Sequence, residues 1–463
     1  MSLPAELALR CLLPGFAGTE APDWIRRRAG RGLGGVVLFA RNIESKEQVR
    51  RLTDRLHADR PGLVVAVDEE GGDVTRLEAR TGSSYPGNLA LGAVADTALT
   101  TEVAAAMGSE LAALGIDLDL GPVADVNSNP LNPVIGVRSF GSDPGLVAGQ
   151  TAAWIAGLQG AGVAACAKHF PGHGDTAVDS HFALPVAGED PRVGALEPFK
   201  AAIAAGVRAI MSAHIVAPSL DELPATISPR IMTGLLRDEL GFEGVAITDG
   251  LEMAGLTGER SVPEAAVLAL AAGCDALCIG GGLDDEATVD AIVAAIVDAV
   301  EKGRLPEERL HQAARRVESF TSPPVGAART AGGGGGDVGL EAARRAVCVD
   351  GDVRVGPEAT VIRLDSSRSI PAGTVPWGMS EALAGRGVRL TSGGGRVVIA
   401  VRSLNRQPEN QARAEDLLAR HPDAILVEMG VPAYRPPRAR AYVATFGSAR
   451  VCAEAAAELM TRP

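Results

Sequence analysis

The sequence predicts an α/β chain: a (β/α)8 TIM barrel followed by a small α/β sandwich domain. Three observations predict it. Short apolar runs alternate with Ala- and Leu-rich helical stretches over the first two-thirds of the 463 residues, and strand–helix alternation implies parallel strands joined by right-handed crossovers. Eight such runs in about 320 residues suit a closed barrel; an open doubly wound sheet is the alternative. A Pro/Gly-rich stretch, TSPPVGAARTAGGGGGDVG, then leads into a shorter part of different character.

The eight runs are residues 8–13, 35–39, 63–68, 116–120, 163–168, 208–214, 245–249 and 274–279. Helical patterns fall between them at 99–114, 144–161, 196–205, 231–239 and 262–272. Two more helices close the regular part: 284–303 ends in a Gly suited to a C′ position, and 306–320 begins with Pro at its first turn. The predicted divisions are a catalytic barrel over 1–320, a linker over 321–339 and a sandwich domain over 340–463. The linker reading rests on the Gly run, which lacks the G-K-[ST] of a phosphate loop. In the last part, β-like runs at 360–364, 396–402, 424–428 and 441–446 precede a terminal helix, 448–460. Its late arginines (Arg435, Arg438, Arg440, Arg450) read as a solvated face.

Composition narrows the function. A net charge of −13 argues against nucleic acid or an anionic membrane as partner. Aromatics are only 3% of residues, so the core is expected to be aliphatic, with closely packed helices. No run approaches the roughly 20 apolar residues of a membrane span, and the N-terminus has no basic n-region. The six cysteines are scattered without zinc spacing, and buried reduced thiols in a cytoplasmic protein are the expectation.

In a barrel, catalytic groups belong at the C-terminal strand ends. The third run leads into DEEGGDVTR, with Asp68 at its tip and Arg76 beyond. The fourth leads into GPVADVNSNP and NPVIGVRSFG, with Arg138; the sixth into SAHI, with His214; the seventh, VAITDG, ends in Asp249. The fifth, VAACA, empties into KHFPGHGDTAVDSHFALP, which holds three of the seven histidines. Each residue also has a plainer reading. Asp68 and Asp249 could cap helices or form turns, but two at one barrel end favour function. Arg76 and Arg138 could be surface ion-pair partners. His214 reads as a satisfied wall residue, His173 as a group that orders its loop, and residues 280–282 as a tight turn. Lys168 ends a buried strand, where a lysine needs a partner or ligand. His169, His173 and His181 share no helical face and form no H-x-H pair, so a metal site is disfavoured.

Asp179, Ser180 and His181 form the sharpest local feature. An Asp two residues before a His can hydrogen-bond the ring, fix its tautomer and favour its charged form. Such a His can donate and then accept a proton. With Asp249 as carboxylate nucleophile, the pair suffices for double-displacement glycoside hydrolysis, the His replacing the usual second carboxyl.

KHFPGHG with its downstream D-S-H, together with VDEEGG–TR, N-P–RSFG–DP, ITDGLEM, LPGFAG and LFARN, resembles glycoside hydrolase family 3 in its β-N-acetylglucosaminidase branch. The C-terminal part is more loosely similar to the second domain of two-domain members. The resemblance implies a retaining enzyme that releases terminal GlcNAc, with GlcNAc–MurNAc peptidoglycan fragments as substrates. Asp249 would be the nucleophile, His181 the acid/base and Asp179 its partner. Asp68 would bind sugar hydroxyls, O4 and O6, while Arg76, Arg138, Lys168 and His169 would hold the remaining hydroxyls and the N-acetylated sugar. No metal or organic cofactor is expected. Glu69 and Asp73 stand where Gln and Arg are common, and Gly250 where Asp or Ala is frequent. The charge lost at Asp73 is expected to alter preference for anionic muropeptides. Because D-S-H supplies the acid/base from the barrel, the second domain need not reach the site. A neutral imidazole does not repel an anion, so phosphate in place of water is a further hypothesis. The competing readings are a β-glucosidase or β-xylosidase of the same family, or a non-catalytic cell-wall sugar-binding protein.

Overall fold

The structure, a computed structural model, describes the chain except residues 1, 259, 283–284, 321–334, 367–369 and 463. Eight parallel strands form the first unit: β1 Leu12–Pro14, β2 Gly35–Leu38, β3 Val64–Val67, β4 Leu118–Asp119, β5 Ala164–Phe170, β6 Ala209–Ser212, β7 Val245–Thr248 and β8 Leu277–Ile279. From β2 to β7 they pair in chain order. Ile247 then bridges Ala276, and β8 pairs with β1, Leu277 beside Leu12. Across the last seam the Gly34 N–H donates to the Leu9 carbonyl at 3.1 Å. The sheet is a (β/α)8-type barrel, most regular on its β2–β7 side.

Strands buried on both faces read as continuous apolar runs, which is why the sequence located them. The inward set, including Leu13, Val37, Val64, Leu118, Met211 and Ile247, fills the barrel. The outward set packs under the helices around Phe16, Trp154 and Phe199. Small residues let those helices close up. A Cβ on Gly157 in helix Pro144–Gly160 would lie 2.2 Å from the Thr101 carbonyl of helix Thr97–Ala113.

The first run departs from expectation. Residues 8–10 are the end of helix Leu3–Arg10, whose Pro4 lies in its first turn, with Glu6 near its start and Arg10 at its end. Its buried face, Leu7, Ala8 and Leu9, merges in sequence with the short strand that follows. The eighth strand is also shorter than its run, because Asp275 is taken up by Arg237, Arg309 and Arg316 at the barrel floor.

The second unit is one mixed sheet between helices. Its strands are β9 Cys348–Asp350, β10 Glu358–Arg363, β11 Arg389–Leu390, β12 Arg396–Val401, β13 Ile425–Glu428 and β14 Ala441–Ala444. Their order is β9-β14-β13-β12-β10-β11, antiparallel only at β9. Helix Arg450–Met460 covers one face and helix Pro408–Arg420 the other. Of the linker reading, residues 321–334 lie outside the described residues, while 335–339 belong to helix Gly335–Ala346. That helix serves both units: Ala342 enters the barrel's core and Ala343 packs with Ala449, Val451 and Cys452.

Polar contacts add to this docking. Asp73 accepts from the Ser448 N–H and hydroxyl, each at 2.8 Å, with Arg402 3.6 Å away. Asp73 is therefore an anchor between the units, not the pocket charge the sequence implied. Arg450, read as part of a solvated face, reaches the Ser84 hydroxyl at 2.5 Å. Asn405 Nδ2 donates to the Pro130 carbonyl at 2.6 Å, and Arg406 donates to that of Asn132. Five of the six cysteines are buried and Cys348 is exposed, against the expectation that all would be buried. Among the described residues, no helix is long and apolar enough to cross a membrane.

Candidate active site

The C-terminal strand ends open into a cavity of about 340 Å³. Asp68, Arg76, Arg138, Lys168, His169, His181 and Asp249 all line it. Asp179 stands behind His181, as its partner. Residues from the ends of four strands, β3, β4, β5 and β7, are thus brought to one opening, on the barrel end where their strand-tip positions predicted them.

The floor is an ion network. Lys168 Nζ lies 2.7 Å from Asp68 Oδ1 and 2.7 Å from Glu70 Oε1. Glu70 also receives both prongs of the Arg138 fork, Nε at 2.9 Å and Nη2 at 2.8 Å, the bidentate geometry that makes such pairs strong. Burial opposes charge on Lys168, but Asp68 and Glu70 outweigh it and hold the ammonium well above its ordinary range. Burial likewise opposes charge on Glu70, yet Arg138 and Lys168 hold its carboxyl well below the usual carboxylate range. The network fixes a line of charge whose outer member, Asp68, faces the cavity.

The last residues of β5 and the turn out of it hold two cis peptide bonds, Lys168–His169 and Phe170–Pro171. His169 Nδ1 lies 2.7 Å from Asp125 Oδ2, and Asp125 Oδ1 accepts from the backbone N–H groups of His169 (3.2 Å) and His173 (2.6 Å). With Nδ1 engaged, Nε2 is what His169 offers the cavity. His173 is occupied at both nitrogens, by the Thr176 hydroxyl at 2.7 Å and the Ser180 hydroxyl at 3.2 Å. Burial lowers its pKa to about 4, so it is a neutral tie within the loop, in keeping with its sequence reading. The β4 loop grips the other side of the loop: Asn132 Nδ2 donates to the His173 carbonyl at 2.8 Å and Asn129 Nδ2 to that of Thr176 at 3.1 Å. A Cβ on Gly174 would lie 1.8 Å from the Val126 carbonyl, so only glycine permits this approach. The framed loop carries Asp179, whose Oδ1 lies 2.6 Å from His181 Nδ1 and also accepts the His181 N–H at 3.0 Å.

Asp249 emerges from β7. Burial pushes its carboxyl up, but the imidazoles of His169, His214 and His181 and the Gly250 N–H outweigh this and bring it down to about 2. It is an anion at neutral pH. His214 does more than fill the wall: its Nδ1 contacts the Thr226 hydroxyl at 2.8 Å and its Nε2 holds the Gly250 carbonyl at 2.9 Å, fixing the turn beyond Asp249. Glu252 accepts from the Gly280 N–H at 3.2 Å and pins the glycine turn after β8. Among the described residues, no cluster of three or more His, Cys, Asp or Glu is arranged to hold a metal ion.

Sequence reasoning missed Glu70, Asp125 and Glu252, although each lies within a motif already singled out. It also missed the second unit's share: Ile370, Pro371 and Gly373 line the same cavity, and the Pro371 carbonyl accepts from Arg76 Nη1 at 2.7 Å. The second domain, which need not supply a catalytic group, nonetheless reaches the site through these contacts.

A carboxylate and an oriented imidazole facing one cavity at the mouth of a (β/α)8 barrel are the equipment of a glycoside hydrolase. The family model described as Glycosyl hydrolase family 3 N terminal domain matches residues 19–320, and the chain belongs to that family, in its β-hexosaminidase branch. It is 37% identical over 313 residues to beta-hexosaminidase A of Pseudoalteromonas piscicida, covering 62% of this chain and 52% of that one; it spans about half the length of that relative. The structure is similar to that of a glycoside hydrolase family 3 beta-N-acetylglucosaminidase from Paenibacillus sp. str. FPU-7, with a TM-score of 0.87 and 32% identity over 100% of this chain and 97% of that one. It is also similar to NagZ from Neisseria gonorrhoeae in complex with N-trifluoroacetyl-D-glucosamine, with a TM-score of 0.54 and 31% identity over 68% of this chain and 98% of that one.

Proposed function

We propose that the protein is a retaining exo-β-N-acetylglucosaminidase. It releases terminal GlcNAc from β-linked glycosides, with GlcNAc–MurNAc peptidoglycan fragments as the natural substrate class. The observation that carries this reading is the pairing of an anionic Asp249 with an Asp179-held His181 on one cavity. The glucosamine derivative bound by the Neisseria relative supports the choice of sugar.

In the first step an Asp249 oxygen attacks the anomeric carbon, the glycosidic bond breaks, and His181 Nε2 gives its proton to the departing oxygen. In the second, the now neutral imidazole takes a proton from water as that water attacks the same carbon, and the ester to Asp249 is cleaved. Asp179 keeps Nδ1 occupied, so the exchange runs through Nε2. Asp68, with Lys168 behind it, accepts from hydroxyls of the terminal sugar; Arg76, Arg138 and His169 orient the rest.

The test is turnover of 4-nitrophenyl GlcNAc beside the corresponding glucoside and xyloside. GlcNAc is expected to be preferred, and Asp249→Ala to lower kcat by about 10⁴-fold or more with the fold retained. Equal turnover of the glucoside would refute the sugar assignment, and undiminished turnover by Asp249→Ala would refute the nucleophile.

A further inference from the structure

The barrel alone does not enclose the catalytic cavity. Ile370, Pro371 and Gly373, between β10 and β11 of the second unit, form part of its lining. Arg76 is strung between the two units. Its Nη1 donates to the Pro371 carbonyl at 2.7 Å, and its Nη2 stands 3.6 Å from Asp68 Oδ2. A guanidinium is a rigid planar fork, so fixing Nη1 fixes the direction of the whole group. Arg76 Nε is buried and has no hydrogen-bond partner among the described residues. Ile370, beside it at the cavity, is 50% exposed. Ala372 is buried, and with Val134, Ile135 and Arg138 it borders a small void of about 40 Å³, which seats the segment on the barrel rim. A bare isoleucine next to a partly exposed, fixed guanidinium is the surface that a pyranose matches, with C–H groups on its face and hydroxyls on its edge.

We propose that residues 370–373 are the outer wall of the terminal-sugar site: Pro371 positions Arg76, and Ile370 closes the site beyond the sugar's non-reducing edge. The inference rests on the proposed function, in which Asp68 takes O4 and O6, the hydroxyls remote from the bond that breaks. A wall attached through Arg76 to Asp68 then stands where a sugar linked at O4 would have to pass. The Neisseria relative, 98% of whose length is covered by 68% of this chain, is too short to carry both units. This wall is therefore a property of the longer chain.

The experiment uses the full chain and two aryl glycosides, 4-nitrophenyl GlcNAc and its 4-O-methyl derivative. The wild type is expected to turn over the first and to disfavour the second by about 100-fold in kcat/KM. Ile370→Ala is expected to reduce that preference about tenfold, whereas Ile370→Val keeps it. Asp73→Ala, which loosens the docking without touching the cavity, is expected to raise KM for the unsubstituted glycoside about fivefold with kcat within twofold. That is the split produced when ground-state sugar binding is lost. A wild type that turns over the first glycoside, with a preference unmoved by Ile370→Ala and a KM unmoved by Asp73→Ala, overturns the wall and leaves the proposed function standing. A wild type inactive on the unsubstituted glycoside overturns the proposed function itself, and the wall with it.

Discussion

Glu69 is the residue whose substitution is most informative about how the site is held. It is 2% exposed, and its Oε2 accepts the backbone N–H groups of Arg76 (2.8 Å) and Leu77 (3.0 Å). Burial pushes its pKa up, more than those N–H groups and Thr75 pull it down, from an ordinary 4.5 to about 7. The native state therefore holds a proton that the unfolded chain releases at lower pH. Below about pH 4.5 both states are protonated and nothing is lost. Between 4.5 and 7 the native state binds more protons, so stability falls as pH rises, and above 7 the full penalty is present. At about 1.36 kcal/mol per pH unit the gap comes to ~3 kcal/mol. Glu69→Gln keeps an acceptor for the two N–H groups and removes the titration. With an unfolding entropy of about 2.1 cal/mol/K per residue over roughly 300 residues, ~3 kcal/mol corresponds to about 5 °C in Tm. The assay is the barrel's melting transition for both proteins in half-unit steps from pH 4.5 to 8. The variant is expected to match the wild type near pH 4.5 and to melt about 5 °C higher at pH 8. A Tm difference that is flat across the range, or that shrinks as pH rises, refutes the reasoning.

Three further outcomes follow from the same geometry. Glu70→Gln leaves Arg138 and Lys168 buried with one countercharge fewer, and is expected to cost about 3–5 kcal/mol in urea unfolding and most of the activity. His181→Ala is expected to lower turnover of 4-nitrophenyl GlcNAc by about 10²–10⁴-fold but that of a 2,4-dinitrophenyl glycoside much less, because the better leaving group needs no proton. Equal losses on both would remove His181 from the proton-transfer role. Phosphate in place of a non-phosphate buffer is expected to yield GlcNAc-1-phosphate if the neutral imidazole admits an anionic acceptor; finding only GlcNAc ends that hypothesis.

The strands were legible because parallel strands buried on both sides leave continuous apolar runs, and the acids because strand ends point them into one opening. Residues 8–10 were misread since a buried helix face of Leu and Ala looks the same as a strand. Glu70 and Asp125 stood in plain view in DEEGG and GPVADVN. Their work is to hold other polar groups, and nothing in a loop acid's sequence context separates that from solvation. The contact between Arg76 and Pro371 joins positions 295 residues apart; no local pattern encodes it. Asp73 was misassigned for the same reason, its partners Ser448 and Arg402 lying in the other unit.

The grip of Asn405 and Arg406 on the carbonyls of Pro130 and Asn132 bears on how such chains can recombine. Asn132 in turn holds His173, so the second unit is two hydrogen bonds from the loop that carries His181. A hybrid made by joining this barrel to a foreign partner at residues 321–334 would keep all eight barrel strands and every acid that lines the cavity. It would lose the clasp on the β4 loop and the carbonyl that aims Arg76. In a two-unit chain such as this one, the module that keeps the site intact is the barrel together with the surface that fits it, and a replacement partner has to bring matching residues at both places.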